Sequence, residues 1–302
     1  MESVLIRAGC FVAIILLGIF LRRIGFFKES DFLILSRISL RITLPAAIVS
    51  SFAGKTIDPS LLLIIFFGLG MGVLCMAAGY LTNLGRDKSR QAFDVLNLAG
   101  CNVGALTIPF VQSVLGPSAV IVASLFDVGN AAIGLGTSYG IASAIQEGGR
   151  FSFKRLGKNL LRSVALITYI VMTALTLLGV TLPGFVLELA DIVGSANTFI
   201  AMLMIGVGFK LSADRSKLGR LVRLVLLRYG IGTVLALIFW NCLPFDRITR
   251  LTLVLLALSP IITAAPAYTG ELKGDVGLSS AFNSLCIVLS IVIYVTVVSV
   301  LM

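Results

Sequence analysis

The sequence contains no histidine, which removes the commonest metal ligand and the usual proton shuttle near neutral pH. It has no C-x-x-C pair either. Cys10, Cys75, Cys101, Cys242 and Cys286 stand far apart, mostly inside apolar runs, where free cysteine behaves as a small core hydrophobe. Charge is scarce: 13% of residues are charged against 58% hydrophobic, and the mean hydropathy is +1.06. A soluble domain has roughly 25% charged and 45–50% apolar residues, so an ordinary soluble fold is excluded. The chain also lacks a G-x-S-x-G elbow, a phosphate loop and any metal-ligand cluster. No enzymatic chemistry, metal or cofactor is therefore expected. The first apolar run follows Cys10 instead of preceding it, which argues against a lipoprotein box and a cleaved signal peptide.

What the chain has in abundance is apolar segments of membrane-spanning length, about 20 residues each. Ten candidates fall near 4–21, 32–51, 61–83, 92–113, 118–145, 163–182, 186–209, 220–240, 250–270 and 278–301. The formal charge of +10 is spread over the short loops between them, a pattern that sets topology in a lipid bilayer and not one that binds nucleic acid. With the N-terminus outside, inner loops and their flanks hold seventeen basic residues, among them Arg22, Arg86, Arg150, Lys210 and Lys273. The outer side keeps four: Arg7, Lys55, Arg247 and Arg250. The expectation is a multi-pass protein of the plasma (cell inner) membrane with both termini extracytoplasmic.

Two candidate spans are faulty as plain helices. The fourth carries Asn102, Gly104, Thr107 and Pro109 near its centre, and the ninth carries Ser259, Pro260, Thr263 and Pro266. Proline removes a helical N–H and clashes with the preceding turn, while glycine admits conformations other residues avoid. Both spans are expected to break, leaving backbone groups that protein or a water-lined cavity must satisfy. Interrupted helices at matching places in two halves point to the site of a secondary transporter.

The other spans add polar residues of unequal weight. Arg37 and Arg41 share one helical face in span two; Arg37 is near enough to the inner end to snorkel, whereas Arg41 is deeper and is a possible anion or ion-pair partner. Span three has a small-residue face at Gly68, Gly70, Gly72 and Gly79, suited to close packing. Asp94 lies four residues past Arg90, which reads as a local pair. In span five, Ser124, Asp127, Asn130, Gly134 and Ser138 form one stripe. Asp127, nine residues past Ser118, lies about 13 Å along the helix. An acid near mid-membrane is a functional hypothesis by default. Asp127 and Asn130 are thus candidates for coupling, with a buried Asp127–Arg41 pair as the structural alternative. Arg223 and Arg228 in span eight read as snorkelling. Span ten opens on Ser279, Ser280, Asn283 and Ser284 and has no acid matching Asp127.

The longest inner loop, 147–162, divides the chain into a first five-helix unit, 1–146, and a second, 163–302. Offsets of 155 to 158 place Arg7 on Arg162, Lys55 on Lys210, Pro109 on Pro266 and Gly116 on Gly274. Five is odd, so the second unit enters from the opposite side and the two are inverted repeats.

Asn102-x-Gly104 followed by Pro109 and Gly116, the Leu44-Pro45 end of span two, Ile205-Gly206 in span seven and the segment from Pro260 to Gly274 together resemble the auxin efflux carrier family. The resemblance runs over nearly the whole chain; a glycine is common in the family where this chain has Thr107. It implies an all-α polytopic membrane protein of ten transmembrane helices in two inverted repeats, with broken helices four and nine crossing mid-membrane. It also implies export of small organic anions, such as auxin-like acids or dicarboxylates, commonly by a homodimer. On this reading Asn102, Gly104, Thr107, Pro109, Pro260, Thr263, Pro266, Asn283 and Ser284 hold substrate, and a proton, or alternatively sodium, is the coupling ion. Two other functions stay open: sodium-coupled uptake of organic anions, and a membrane sensor that binds a ligand without moving it.

Overall fold

The computed structural model describes residues 2–147, 152–209 and 215–302. Arg150 and Lys210, counted above among the inner cations, lie outside the described residues. Among those described, every regular element is helical, and the one β-type contact is an isolated bridge. The first unit runs α1 (Glu2–Arg23), α2 (Asp31–Ile38), α3 (Leu44–Phe52), α4 (Leu63–Leu81), α5 (Lys88–Ala99), α6 (Ile108–Val114), α7 (Pro117–Ala132) and α8 (Ser138–Glu147). The stretch read as a basic loop contains a short helix, α9 (Phe153–Arg162). It meets α10 (Val164–Leu177) at a bend of 73°. Then follow α11 (Gly184–Ser195), α12 (Asn197–Gly208), α13 (Leu218–Cys242), α14 (Arg247–Ala257), α15 (Ala265–Glu271) and α16 (Val276–Leu301).

Six of these helices or helix runs are long and apolar enough to cross a membrane, which makes the chain a polytopic helical membrane protein. Three runs contain a π turn: Ser39–Thr43 joins α2 to α3, Val103–Thr107 opens into α6, and Ile133–Thr137 joins α7 to α8. The first two have one cause. In each, a Thr-x-Pro triplet closes the turn, Thr43-Leu44-Pro45 and Thr107-Ile108-Pro109. The proline ring cannot donate to the carbonyl four residues back, so the helix locally widens. The threonine hydroxyl bonds back to Ser39 O or to Asn102 O, at 3.4 Å in both cases.

Packing falls into two groups. In one, α1 lies on α12 and α3 on both α10 and α11; in the other, α4 lies on α5 and α7, α13 on α14, and α15 on α16. Glycine sets the closest approaches within each. A Cβ at Gly129 would lie 1.9 Å from Ile65 O, and one at Gly68 would lie 2.0 Å from Phe126 O, so α4 and α7 meet backbone to backbone. Gly72 and Gly79 are next: a Cβ would lie 2.5 Å from the Ile133 side chain and 2.8 Å from the Asp94 main chain, whereas Gly70 faces open space. Gly129→Ala is therefore expected to lower stability by about 1–3 kcal/mol, the usual cost of overpacking. Gly70→Ala serves as the neutral control, and melting of the purified protein compares the two.

Long-range pairs correct two local expectations. Asp94 is fully buried and pairs with Arg220 at 3.2 Å and Arg223 at 3.5 Å, both on α13, and it accepts from Asn83 Nδ2 at 2.8 Å. The pair is not with Arg90: Asp94 points across to the second unit, where two guanidinium groups can neutralise it. Arg228 does not snorkel either, for reasons that belong to the site below. At the opening of α16, Asp275 accepts from Leu278 N–H at 3.0 Å and lies 2.6 Å from Lys217 Nζ. Partial burial opposes its ionisation, but the ammonium and the N–H win and hold this carboxyl below the usual range.

Candidate functional site

The two broken helices meet at their breaks. Cys101 and Ile261 form an antiparallel bridge, and Asn102 N–H donates to Pro260 O at 2.9 Å. Each break frees backbone groups that need partners, and most of these partners come from side chains of adjacent helices. Asn130 on α7 accepts from Cys101 N–H at 2.8 Å and donates back to Cys101 O at 2.9 Å, as a neighbouring peptide strand would. On the other chain segment, Leu258 O accepts from Ser290 Oγ at 2.8 Å, and Ser259 O from Arg228 at 2.8 Å.

Beyond the crossing the helix resumes at Val103 without any side-chain cap. Thr107 N–H finds Asn102 O at 3.3 Å, so the turn before it presents its N–H groups outward, with roughly half a positive charge. Asn102, only 4% exposed, stands at this end, and its Nδ2 has no partner. Gly104 keeps the approach open: a Cβ there would lie 3.0 Å from Leu44 Cδ2 and 3.8 Å from Asp127 Oδ2.

A cavity of about 520 Å³ reaches this helix end. Asn102, Gly104, Asp127, Asn130 and Thr263 line its depth, Leu40, Arg41 and Leu44 one wall, and Leu166 and Tyr169 another. At its mouth Arg155 of α9 pairs with Glu271 of α15 at 2.9 Å and stacks over the Tyr139 ring at 4.3 Å. Asp127 does not pair with Arg41. Its Oδ1 accepts from Asn130 Nδ2 at 2.8 Å and its Oδ2 from the Tyr169 hydroxyl at 2.9 Å. Among the described residues no cation lies within ion-pair distance of it. Arg41 sits in the π turn between α2 and α3, exposed along the same cavity.

A second cavity, about 460 Å³, touches the other side of the Thr263 segment and takes in Pro266, Asn283 and Ser284. The expected substrate residues are thus divided. Asn102, Gly104 and Thr263 share the first cavity with Asp127, Asn130 and Arg41; Pro266, Asn283 and Ser284 share Thr263 with the second. Thr107, Pro109 and Pro260 line neither. Thr107 is bonded to the Tyr294 hydroxyl at 2.8 Å, Pro109 O accepts from Thr198 at 3.2 Å, and Pro260 gives its carbonyl to the crossing.

Sequence reasoning missed Tyr169, whose span carries no signal that sets it apart, and mistook Arg228. Arg228 is 1% exposed. It donates to Leu98 O at 3.3 Å, to Ser259 O at 2.8 Å, and to the sulfurs of Cys75 and Cys101 at 3.4 and 3.1 Å. The overlooked signal was depth: Arg228 lies near the middle of a 25-residue helix, where a side chain is too far from either end to snorkel.

A helical membrane protein whose broken helices cross beside a polar cavity has the architecture of a transport protein. Residues 10–147 match the family model described as a membrane transport protein, the membrane transport domain of the auxin efflux carriers. That family is one of transporters and not of enzymes. The match runs from within α1 to the end of α8, and the resemblance read from the sequence holds there. No curated protein matches the chain.

Proposed function

We propose that this chain is a secondary carrier that exports small organic anions, carboxylates such as auxin-like acids or dicarboxylates, by alternating access. The observation that carries this reading is Asn102: a buried amide donor without a partner, placed at an uncapped helix N-terminus and lining a cavity. A carboxylate completes that arrangement, because it accepts from Nδ2 and from the free N–H groups together. Arg41 on the cavity wall adds attraction at longer range.

In this reading α5 with the 103–114 helix, and α14 with α15, are the broken fourth and ninth of ten spans. The spans form two inverted five-helix repeats with both termini outside. The cavity mouth, formed by Arg155, Arg162 and Glu271, then faces the cytoplasm. The substrate groups lie on the packing group that contains α4 to α8 and α13 to α16. Few polar bonds tie this group to the other; they include Tyr169 to Asp127, Thr198 to Pro109 O and Asn197 to Gln112. Alternating access is movement of one group against the other with these bonds exchanged. Asp127 sits on that boundary beside the anion end, so an ionised Asp127 and a bound anion repel, which gives a proton a means of coupling.

A thermal-shift screen of the purified protein against carboxylates tests the binding step, and counterflow in proteoliposomes tests transport. Binding without exchange would make the protein a sensor. Orientation has its own test: in a variant lacking Cys10 and Cys242, Lys158→Cys is expected to react with an impermeant maleimide only after permeabilisation. Labelling in intact cells would invert the topology.

A further inference from the structure

We infer that Arg228 is the residue that makes the crossing select for negative charge, acting through the field and not by contact. This rests on the reading of the crossing as an anion site. Two carbonyl ends, of α5 and α14, and the N–H end of the 103–114 helix meet there. Each carries roughly half a unit charge of its sign, so the carbonyl ends offset the pull of the N–H end, and the backbone alone gives a carboxylate little advantage over a neutral amide.

Arg228 breaks that balance. Its guanidinium bonds Leu98 O in the last turn of α5 and Ser259 O two residues past the end of α14, and so offsets the negative charge of both carbonyl ends. The N–H end of the 103–114 helix is left unopposed. Among the described residues no carboxylate pairs with Arg228; its other partners are Cys75 Sγ, Cys101 Sγ and Ser259 Oγ. A buried cation without a counter-ion is costly unless dipoles compensate it, and here helix dipoles do. Arg228 does not line the cavity, but Cys101, which it touches, does. The charge therefore sits one residue behind the cavity wall, screened from water and fixed in place.

The test compares acid and amide probes, indole-3-acetate against indole-3-acetamide and malonate against malonamide, by the concentration that half-maximally stabilises the purified protein. The wild type is expected to prefer the acids. Arg228→Gln is expected to weaken acid binding by about tenfold and leave amide binding unchanged, the order of effect of removing one unit charge from behind the cavity wall at an effective dielectric near 20. Because Arg228→Gln also removes hydrogen bonds, a second variant separates charge from structure. Cys75→Asp places a carboxylate against the guanidinium and neutralises it while Arg228 itself is retained. A purely structural Arg228 predicts unaltered discrimination in Cys75→Asp, whereas the inference predicts its loss. Retained discrimination in either folded variant overturns the inference. Failure of both to fold overturns it too, since the guanidinium would then be a requirement of assembly. A wild type indifferent to charge would instead sink the anion-site reading, and this inference with it.

Discussion

An Asn102→Ala protein is expected to fold normally and to bind its carboxylate about 10- to 150-fold more weakly, the equivalent of a hydrogen bond to a charged group, roughly 1.5–3 kcal/mol. Normal folding is expected because the amide Nδ2 supports nothing: it has no protein partner to lose, and the crossing at this residue is made by its main chain. Removing a buried donor without a partner even relieves a small cost in the empty protein. Titration calorimetry with the carboxylate identified by thermal shift measures the effect. Equal affinity in variant and wild type would take Asn102 out of the site. Asn102→Asp is the sharper variant, since it keeps the shape and sets a like charge against the substrate, and it should bind more weakly than the alanine protein.

The second large effect concerns coupling. Asp127→Asn is expected to keep counterflow, which needs no net proton movement, and to lose the dependence of net transport on a pH difference. Asparagine keeps one acceptor, for the Tyr169 hydroxyl, gives up the bond from Asn130 Nδ2, and carries no charge against the bound anion. Proteoliposomes with an imposed pH gradient separate the two activities. Net transport that still follows the gradient in this variant would exclude Asp127 as the coupling group, and a variant that fails to fold would make its bonds to Asn130 and Tyr169 structural. Tyr169→Phe removes one bond across the boundary between the packing groups and keeps the acid. It is expected to change the rate of exchange while the pH dependence persists.

Much of the site was legible because its residues are out of place. Asn102, Gly104 and Pro109 inside an apolar run announce a break, and the matching fault at Pro260 to Pro266 announces its partner. The acid at Asp127 stands out for the same reason. What stayed hidden was pairing across the chain. Asp94 has Arg90 one helical turn away, yet it takes Arg220 and Arg223, more than 120 residues distant, because packing of α5 on α13 puts two cations over a buried carboxylate. No local spacing contains that information. The π turns were hidden differently: Pro45 and Pro109 were visible, but whether proline kinks a helix or widens it depends on what the freed carbonyl finds. α9 was concealed by its own charge, since Lys154, Arg155, Lys158 and Arg162 drew attention from Leu156 and Leu160, which are spaced one turn apart.

The meeting of Asn102 N–H with Pro260 O has a practical consequence for genetics. The bond joins main-chain atoms alone, so almost any side chain can occupy either position without breaking it, and a comprehensive mutational scan read out on folding and expression will score the joint as permissive. A map coloured by such scores would be palest where the two broken helices are tied together. Only atomic editing of the backbone, such as an ester in place of the Cys101–Asn102 amide, can delete that one N–H and expose what the joint contributes.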